Sequence, residues 1–386
     1  MILSELTVRD VRCIELAELS LHPGRNLIWG GNGSGKTSIL EAMFLLGRGR
    51  SFRTRNSERL VRHGQERLVV FGRTESSESA GYLGSLGNTG AAGSLGSAAG
   101  RSGSGGGLVH AVGVEVHRRD GPRARIDAAA VGSLADLSRV FPVQVIDPEI
   151  HKLIEEGGRR RRRWLDWAVF HVEPQFADWW VRFARAIRQR NAALRERRGG
   201  TRPWDVEVAS LGERISEARR AVLEQMAPFW RETTAGLDCP AAELQYFRGW
   251  GAQHSLLEAL EAARERDEAR GLTHAGPHRA DVLIRVGGKL AREVLSRGQQ
   301  KLMAVALTLA QLRLLKGVSG TTPTLLLDDP AAELDAEHLR HFVGQIAPLG
   351  CQLVITSLQP ETAAFGAPDR VFHVEQGRVG RYNVPS

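Results

Sequence analysis

No apolar run in this 386-residue chain reaches the roughly 18–20 residues that a membrane-spanning helix needs, so an integral membrane protein is not expected. The opening stretch, MILSELTVRDVRCIEL, places Glu5, Arg9 and Asp10 where a secretion signal would need an apolar core. Cysteine is scarce: Cys13, Cys239 and Cys351 lie far apart and form no Cys-x-x-Cys pattern. A disulfide scaffold and a structural zinc site are disfavoured, and a reducing cytoplasmic location is the simplest reading. No Asn-Lys-x-Asp motif for reading guanine occurs. Proline is missing from residues 76–107, where glycine recurs at 81, 84, 87, 90, 93 and 96. A period of three without imino acids is not collagen, and this Gly/Ser/Ala-rich stretch reads as a flexible insertion between two strands of a hairpin.

Positive charge is abundant. The formal net charge is +8 and the pI is near 10, although lysine supplies only five of the 52 basic residues. That balance suits an anionic partner such as nucleic acid, and an arginine-favouring coding bias accounts for it equally well. Residues 2–8, 11–20 and 25–30 read as strands, residues 36–46 as a helix, and 67–73 with 108–119 as the hairpin around the insertion. From His151 to Gly271 the pattern turns helical. Phe176, Trp179, Trp180, Phe183, Ile187 and Leu194 recur at helical spacing, and Val208, Leu211, Ile215, Ala218, Val222 and Phe229 follow a 3–4 spacing. Leu256, Leu257, Leu260 and Ala263 mark a third helix ending at Gly271. Strand patterns return with ADVLIRV, TLLLDD and CQLVITS. The expected architecture is α/β: a discontinuous lobe of residues 1–150 and 273–386, with a mainly helical lobe at 151–272 inserted and no long coiled coil.

GGNGSGKT, Gly30–Thr37, fits the phosphate-loop pattern G-x-x-x-x-G-K-[ST], with an apolar strand before it and a helix after it. Gly30, Gly31, Gly33 and Gly35 let the backbone wrap tightly, so that its N–H groups, with those of Asn32 and Ser34, point at a β-phosphate. The positive end of the following helix adds to the attraction. Lys36 is placed to reach the β- and γ-phosphates, and the Thr37 hydroxyl to ligate Mg²⁺. TLLLDDPAAELD, Thr324–Asp335, supplies the partner: a buried strand ending in two carboxylates. Asp328 is suited to holding the Mg²⁺ water shell, and Asp329 to orienting and deprotonating the attacking water. ATP and Mg²⁺ are the expected cofactors.

The stretch VLSRGQQKLMAVALTLAQL, Val294–Leu312, reads as a loop entering a helix, with Ser296 at the N-cap and Gly298 just inside. Its hydroxyl, unclaimed N–H groups and helix dipole would make a second anion site. One γ-phosphate cannot easily use two helix N-termini from one lobe of one chain, but two copies arranged head to tail can. At LSRGQ, residues 295–299, the sequence resembles the ABC-type ATPases, whose Leu-Ser-Gly-Gly-Gln signature faces the phosphate loop of a dimer partner. Arg297 stands in place of the third signature residue.

That resemblance implies an ABC-type P-loop ATPase head. ATP would be sandwiched between Gly30–Thr37 of one copy and Ser296, Arg297, Gly298 and Gln299 of the other. It implies that Gln144, in FPVQVIDPE, is the Q-loop glutamine that ligates Mg²⁺, and that Glu333–Asp335 crosses to the second subunit. Ser357 stands where many members have a switch histidine and Asp329 where many have glutamate, which implies slow turnover. GKTSILEAMFLLGRGRSFR, PVQVIDPE, RRRWLDWAVFHVEP, QRNAALR, THAGPHRAD, LSRGQQK and LLLDDPAAELD together narrow the resemblance to the bacterial recombination-repair branch. That branch implies a weak, DNA-stimulated ATPase switch. It would dimerise with ATP on duplex DNA and on single/double-strand junctions, assist RecA loading at gaps with RecR and RecO, and be reset by hydrolysis.

Arg159, Arg160, Arg161, Arg162 and Arg163 form an unbroken run beside Trp164, and Arg182, Arg185 and Arg188 lie opposite the apolar stripe. They are candidate phosphate contacts for DNA, with a solvated helix face as the equal alternative. Trp164, Trp167, Trp179 and Trp180 read as core. His274 and His278 have i,i+4 spacing, but Gly276 and Pro277 between them prevent a helical metal pair. Two rival classes share parts of this pattern. A transporter ATPase would share the phosphate loop, Gln144 and the signature without needing an arginine-rich helical insertion. A chromosome-organising SMC-type ATPase needs coiled-coil arms far longer than residues 151–271 provide.

Overall fold

The computed structural model describes residues 1–75, 108–196, 200–360 and 363–381; the expected insertion at 76–107 lies outside them. Contacts divide the chain into two compact units, Met1–Pro148 with Ser319–Ser386, and Glu149–Val318.

The first unit holds two six-stranded sheets. One is antiparallel and contains β1 (Ile2–Val11), β2 (Ile14–Ser20), β4 (Arg67–Glu75), β5 (Val109–His117), β6 (Gly121–Ile126) and β7 (Ala129–Ala130), in the order β2-β1-β4-β5-β6-β7. The other contains β3 (Arg25–Trp29), β8 (Val143–Ile146), β12 (Thr324–Leu327), β13 (Leu353–Ser357), β14 (Arg370–Glu375) and β15 (Arg378–Arg381). Its order is β15-β14-β3-β13-β12-β8, parallel throughout except for β15 at the edge.

Burial separates the two kinds of sheet. In β4, Leu68, Val70, Gly72 and Thr74 are buried while their neighbours face water, the alternation of a sheet with one wet face. β12 and β13 are buried at every position, as parallel strands covered on both faces must be. The helix Lys36–Arg48 packs against β1, β4 and β5 on one side and β8 and β13 on the other. Ile39, Leu40, Met43 and Leu46 join Leu6, Val70, Val114, Leu326 and Val354 in one core. A helix enclosed this way needs no polar face, and its enclosure fixes the loop that enters it.

The second unit is mainly helical, built from Gly158–Val172, Phe176–Glu196, Arg202–Gly236, Leu256–Ala262, Arg264–Arg270 and Arg297–Ser319. It also carries a small sheet of β9 (Glu243–Phe247), β10 (Asp281–Val286) and β11 (Lys289–Leu290). Phe176, Phe183 and Leu194 from one helix, and Val208, Leu211, Ile215 and Val222 from the next, are buried. Trp164 and Trp167 are core as well. The expected third helix breaks at Ala263 and ends at Gly271, whose φ of +63° closes it in the left-handed conformation glycine favours. The longest helix among the described residues, Arg202–Gly236, is no coiled-coil arm.

One expectation about the units requires correction. The second unit extends to Val318 rather than stopping at residue 272. β10 pairs with β9, and Gln311 donates to the Trp164 carbonyl at 2.6 Å, so the signature helix belongs to the helical unit. That helix, Arg297–Ser319, meets the length and composition of a membrane span, although four charged side chains interrupt it. Met303, Ala306, Leu309 and Leu315 are fully buried among its neighbours, and that burial accounts for the composition.

Candidate nucleotide site and nucleic-acid contacts

β3 delivers the chain to Gly30, where an added Cβ would lie 2.2 Å from the Val374 carbonyl oxygen. Gly33 and Gly35 have φ of +74° and +117°, conformations that side chains resist. Nothing lies within 4 Å of a Cβ built on Gly31 or Gly33, so the loop is open on that side. The helix begins at Lys36 with no side chain capping it, leaving first-turn N–H groups for an anionic ligand. Lys36 Nζ donates to the carbonyls of Gly30 at 2.7 Å and Gly31 at 2.9 Å, folding the ammonium over the loop.

Across from it, Thr37 Oγ1 donates to Asp328 Oδ1 at 2.9 Å, with Oδ2 at 3.1 Å. A hydroxyl and a carboxylate so placed form the hard-oxygen pair that suits Mg²⁺ beside a phosphate loop, so the donor set fits that ion. Thr356, on β13, went unnoticed in the sequence. Its hydroxyl donates to Asp328 Oδ1 at 2.9 Å and accepts from the Asp329 N–H at 3.0 Å, holding both acids in place. The available signal was a threonine following three apolar residues in a buried strand. Asp329 itself sits at φ +48°, ψ +55°, an uncommon conformation for a residue with a side chain and one that clusters at functional sites. Burial raises the Asp329 pKa, opposed by Lys36 and reinforced by Asp328 and Glu333. Burial likewise lowers the Lys36 pKa against the pull of Asp329 and Asp328.

Gln144 does not join this cluster. It pairs with Leu325, three positions before Asp328, and Asp328 N–H donates to Ile146 O at 2.9 Å. Val143 faces the core around the phosphate-loop helix, so by strand alternation Gln144 points to the opposite face of the sheet. It is 8% exposed there, which removes it as a Mg²⁺ ligand in this geometry. The register carries Asp147 toward the Asp328 row instead. Ser357 lies at the end of β13, where its carbonyl accepts from Gly30 N–H at 3.2 Å and its hydroxyl from Gln359 N–H at 3.2 Å.

In the helical unit, Ser296, Arg297, Gly298 and Gln299 are exposed. Ser296 Oγ accepts from Gln299 N–H at 3.3 Å and Gln299 Oε1 from Ser296 N–H at 3.0 Å, a reciprocal capping box. Asp335 caps the helix Ala336–Ile346, accepting from Glu337 N–H at 3.1 Å and His338 N–H at 2.9 Å.

The arginine run is split by burial. Arg161 is 5% exposed and grips Asp281 with two bonds of 2.8 and 2.9 Å, while also donating to the carbonyls of Leu153 and Ile154. It is an internal strut and not a DNA contact. Arg162 donates to the Ala280 carbonyl and Arg160 pairs with Glu156 at 2.9 Å. Arg182 lies between Asp178 and Glu207 at 3.8 and 3.7 Å. Arg159, Arg163, Arg185 and Arg188 are exposed. His274 Nδ1 lies 2.7 Å from Asp267 Oδ1, and His278 Nε2 lies 3.0 Å from the Thr273 carbonyl. Burial pushes His278 down to about 4.

A phosphate-loop helix enclosed between two sheets, facing paired acids on a parallel strand, defines an ABC-type ATPase head, and solved structures agree on the fold. One described as the recombination mediator protein RecF-ATP in the RecFOR pathway matches with a TM-score of 0.83 at 24% identity, covering 99% of this chain and 97% of that one. An SMC head bound to the C-terminal winged-helix domain of ScpA matches at 0.55 and 14%, covering 100% and 98%. The RecF/RecN/SMC N terminal domain family matches residues 2–381. The DNA replication and repair protein RecF of Pseudomonas aeruginosa (strain LESB58) is 37% identical over 389 residues, spanning 99% of this chain and 98% of that protein. That of Edwardsiella ictaluri (strain 93-146) is 36% identical over 384 residues, with 98% and 99% coverage. The chain belongs to the RecF family.

Proposed function

We propose that this chain is an ATP-switched DNA clamp of recombinational repair, working in the cytoplasm. Two copies close head to tail, so that ATP held by Gly30–Thr37 of one meets Ser296–Gln299 of the other. The observation that supports this most is the exposed, self-capped turn at Ser296. On binding, Lys36 exchanges the Gly30 and Gly31 carbonyls for phosphate oxygens. The Ser296 hydroxyl of the second copy, which accepts from Gln299 N–H, donates its own proton to a γ-phosphate oxygen. Thr37 and Asp328 would hold Mg²⁺, which when bound would supply charge neutralisation at the phosphates. Asp329 then orients a water and takes its proton as the water oxygen attacks the γ-phosphorus and ADP leaves. Its raised pKa makes it a competent base, while its carboxylate is one methylene shorter than glutamate, which keeps turnover slow. Hydrolysis dissolves the interface and releases the DNA.

The relatives are described as DNA replication and repair proteins, and one solved relative is placed in the RecFOR pathway. By that analogy the clamp acts at single-strand gaps in duplex DNA with RecR and RecO to assist RecA loading. Mass measurement in solution with and without ATP and DNA tests the reading. Wild type should dimerise with ATP, Lys36→Ala should stay monomeric, and Asp329→Asn should remain a dimer longer. A monomer under every condition would refute the clamp.

A further inference from the structure

A second arginine-rich stretch lies in the ATPase unit. Residues 48–62, RGRSFRTRNSERLVR, hold six arginines and a single acid, Glu58. Arg53, Arg55 and Arg59 are exposed, and among the described residues no carboxylate pairs with them. Nothing about this loop is slack. Phe52 packs edge-on against Phe44 with ring centroids 5.4 Å apart. At the other end Leu60 is 1% exposed, and its carbonyl accepts from Arg12 N–H at 2.8 Å. Between these anchors Ser51 Oγ accepts from the N–H groups of Arg53 and Thr54, both at 3.0 Å, and Asn56 Oδ1 from Glu58 N–H at 2.9 Å.

The first of those turns is tied to the nucleotide site. Ser51 Oγ donates to Glu41, which is 1% exposed and lies one turn after Thr37 on the phosphate-loop helix. Glu41 also receives Arg12 Nε at 2.9 Å and Arg12 Nη2 at 3.0 Å. A carboxylate this buried is costly unless partnered, so these bonds fix both the loop and the β1–β2 turn to the helix that carries Lys36 and Thr37.

We propose that Arg53, Arg55 and Arg59 contact the phosphate backbone of duplex DNA, and that Glu41, acting through Ser51, positions them from the nucleotide-binding helix. This rests on the DNA-clamp reading. Three unpaired guanidiniums on a pinned loop suit a regularly spaced array of phosphates, each of which they can grip with two bonds. An acidic protein segment is the competing partner.

Fluorescence anisotropy with a labelled duplex, titrated with salt in the presence of ATP, tests the assignment on the full chain. Replacing all three arginines with alanine should lower affinity at least tenfold at roughly 0.1 M salt. It should also reduce the slope of log affinity against log salt by about 3. Binding of a fluorescent ATP analogue and the melting temperature should stay at the wild-type values. Glu41→Gln or Ser51→Ala should weaken duplex binding by roughly three- to tenfold, and add nothing once the arginines are gone. If wild type binds duplex and the triple variant binds with equal affinity and slope, the loop is not a DNA contact and an acidic partner takes its place. Additive losses would remove Glu41 from the assignment. If wild type itself shows no ATP-dependent duplex binding, the clamp reading fails with it.

Discussion

Two helices in this protein begin beside glycine and a hydroxyl residue, and they dispose of their first-turn N–H groups in opposite ways. The helix at Lys36 has Gly35 before it and no side chain capping it. The helix at Arg297 satisfies itself: Ser296 and Gln299 exchange bonds at 3.3 and 3.0 Å. The first is a standing anion site whose first-turn N–H groups have nothing to give up. At the second, Gln299 N–H must leave the Ser296 hydroxyl before it can meet a phosphate, and that 3.3 Å bond is the weaker of the pair. Its capture of phosphate is therefore conditional on a ligand arriving correctly placed. A clamp that closes only on ATP needs one half of this kind.

The largest effect expected on this contrast is at the standing half. Gly30→Ala would press a methyl group to 2.2 Å from the Val374 carbonyl oxygen, which is backbone and cannot yield cheaply. The loop must shift away from its phosphate-binding shape. ATP affinity, measured by isothermal titration, should fall by roughly a hundredfold or more, on the order of 3 kcal/mol. Near-wild-type binding would show that the loop's close approach to β14 is incidental.

Next is Ser296→Ala, which removes the cap and the proposed trans donor together. The cap contributes about 1 kcal/mol to the helical unit, readable in urea unfolding. ATP binding to the monomer should be intact, because the phosphate loop is untouched. ATP-dependent dimerisation should be lost. A dimer of ordinary strength would leave the signature with only its capping role.

Gln299→Ala is the sharper and smaller probe. It deletes the acceptor for Ser296 N–H but keeps the serine hydroxyl, so roughly 0.5 kcal/mol of helix stability is lost while ATP-dependent dimerisation persists. A loss of dimer equal to that of Ser296→Ala would show that the glutamine is itself a phosphate contact.

The legibility of these features followed how local each one is. The Gly30–Thr37 loop, the adjacent acids Asp328 and Asp329 and the N-cap position of Ser296 are visible in the sequence because each is set within a few residues. Arg161 and Arg53 could not be told apart that way. Both sit in basic runs, and only tertiary packing decides that Arg161 meets Asp281 while Arg53 stays in water. Gln144 misled for a related reason: strand register, which the sequence does not state, places it three rows from Asp328 and on the other face. Thr356 and Glu41 escaped notice because each acquires its role from partners far along the chain. The boundary at residue 273 failed because β10 pairs backward to β9 rather than forward to the ATPase sheet.

The smallest effect expected is on stability at Asp329, where function and folding pull apart. The residue holds φ +48°, a conformation asparagine tolerates better than most side chains. Its pKa is raised in the fold, chiefly by burial, so the folded protein favours the protonated form more than the unfolded chain does. The sign follows from linkage: the group costs stability as pH rises from the unfolded carboxylate range through the folded value, and above that the cost is constant. Asp329→Asn removes the titration. Its melting temperature should exceed wild type by about 1–2 °C near neutral pH. The gap should shrink as pH falls and the wild-type carboxylate takes up its proton. Asp329 is only partly buried, so solvent screening keeps the gap small. A variant less stable than wild type at neutral pH would mean that the carboxylate's attraction to Lys36 outweighs its burial, and that the standing half of the site is held together by the acid that the proposed hydrolysis uses.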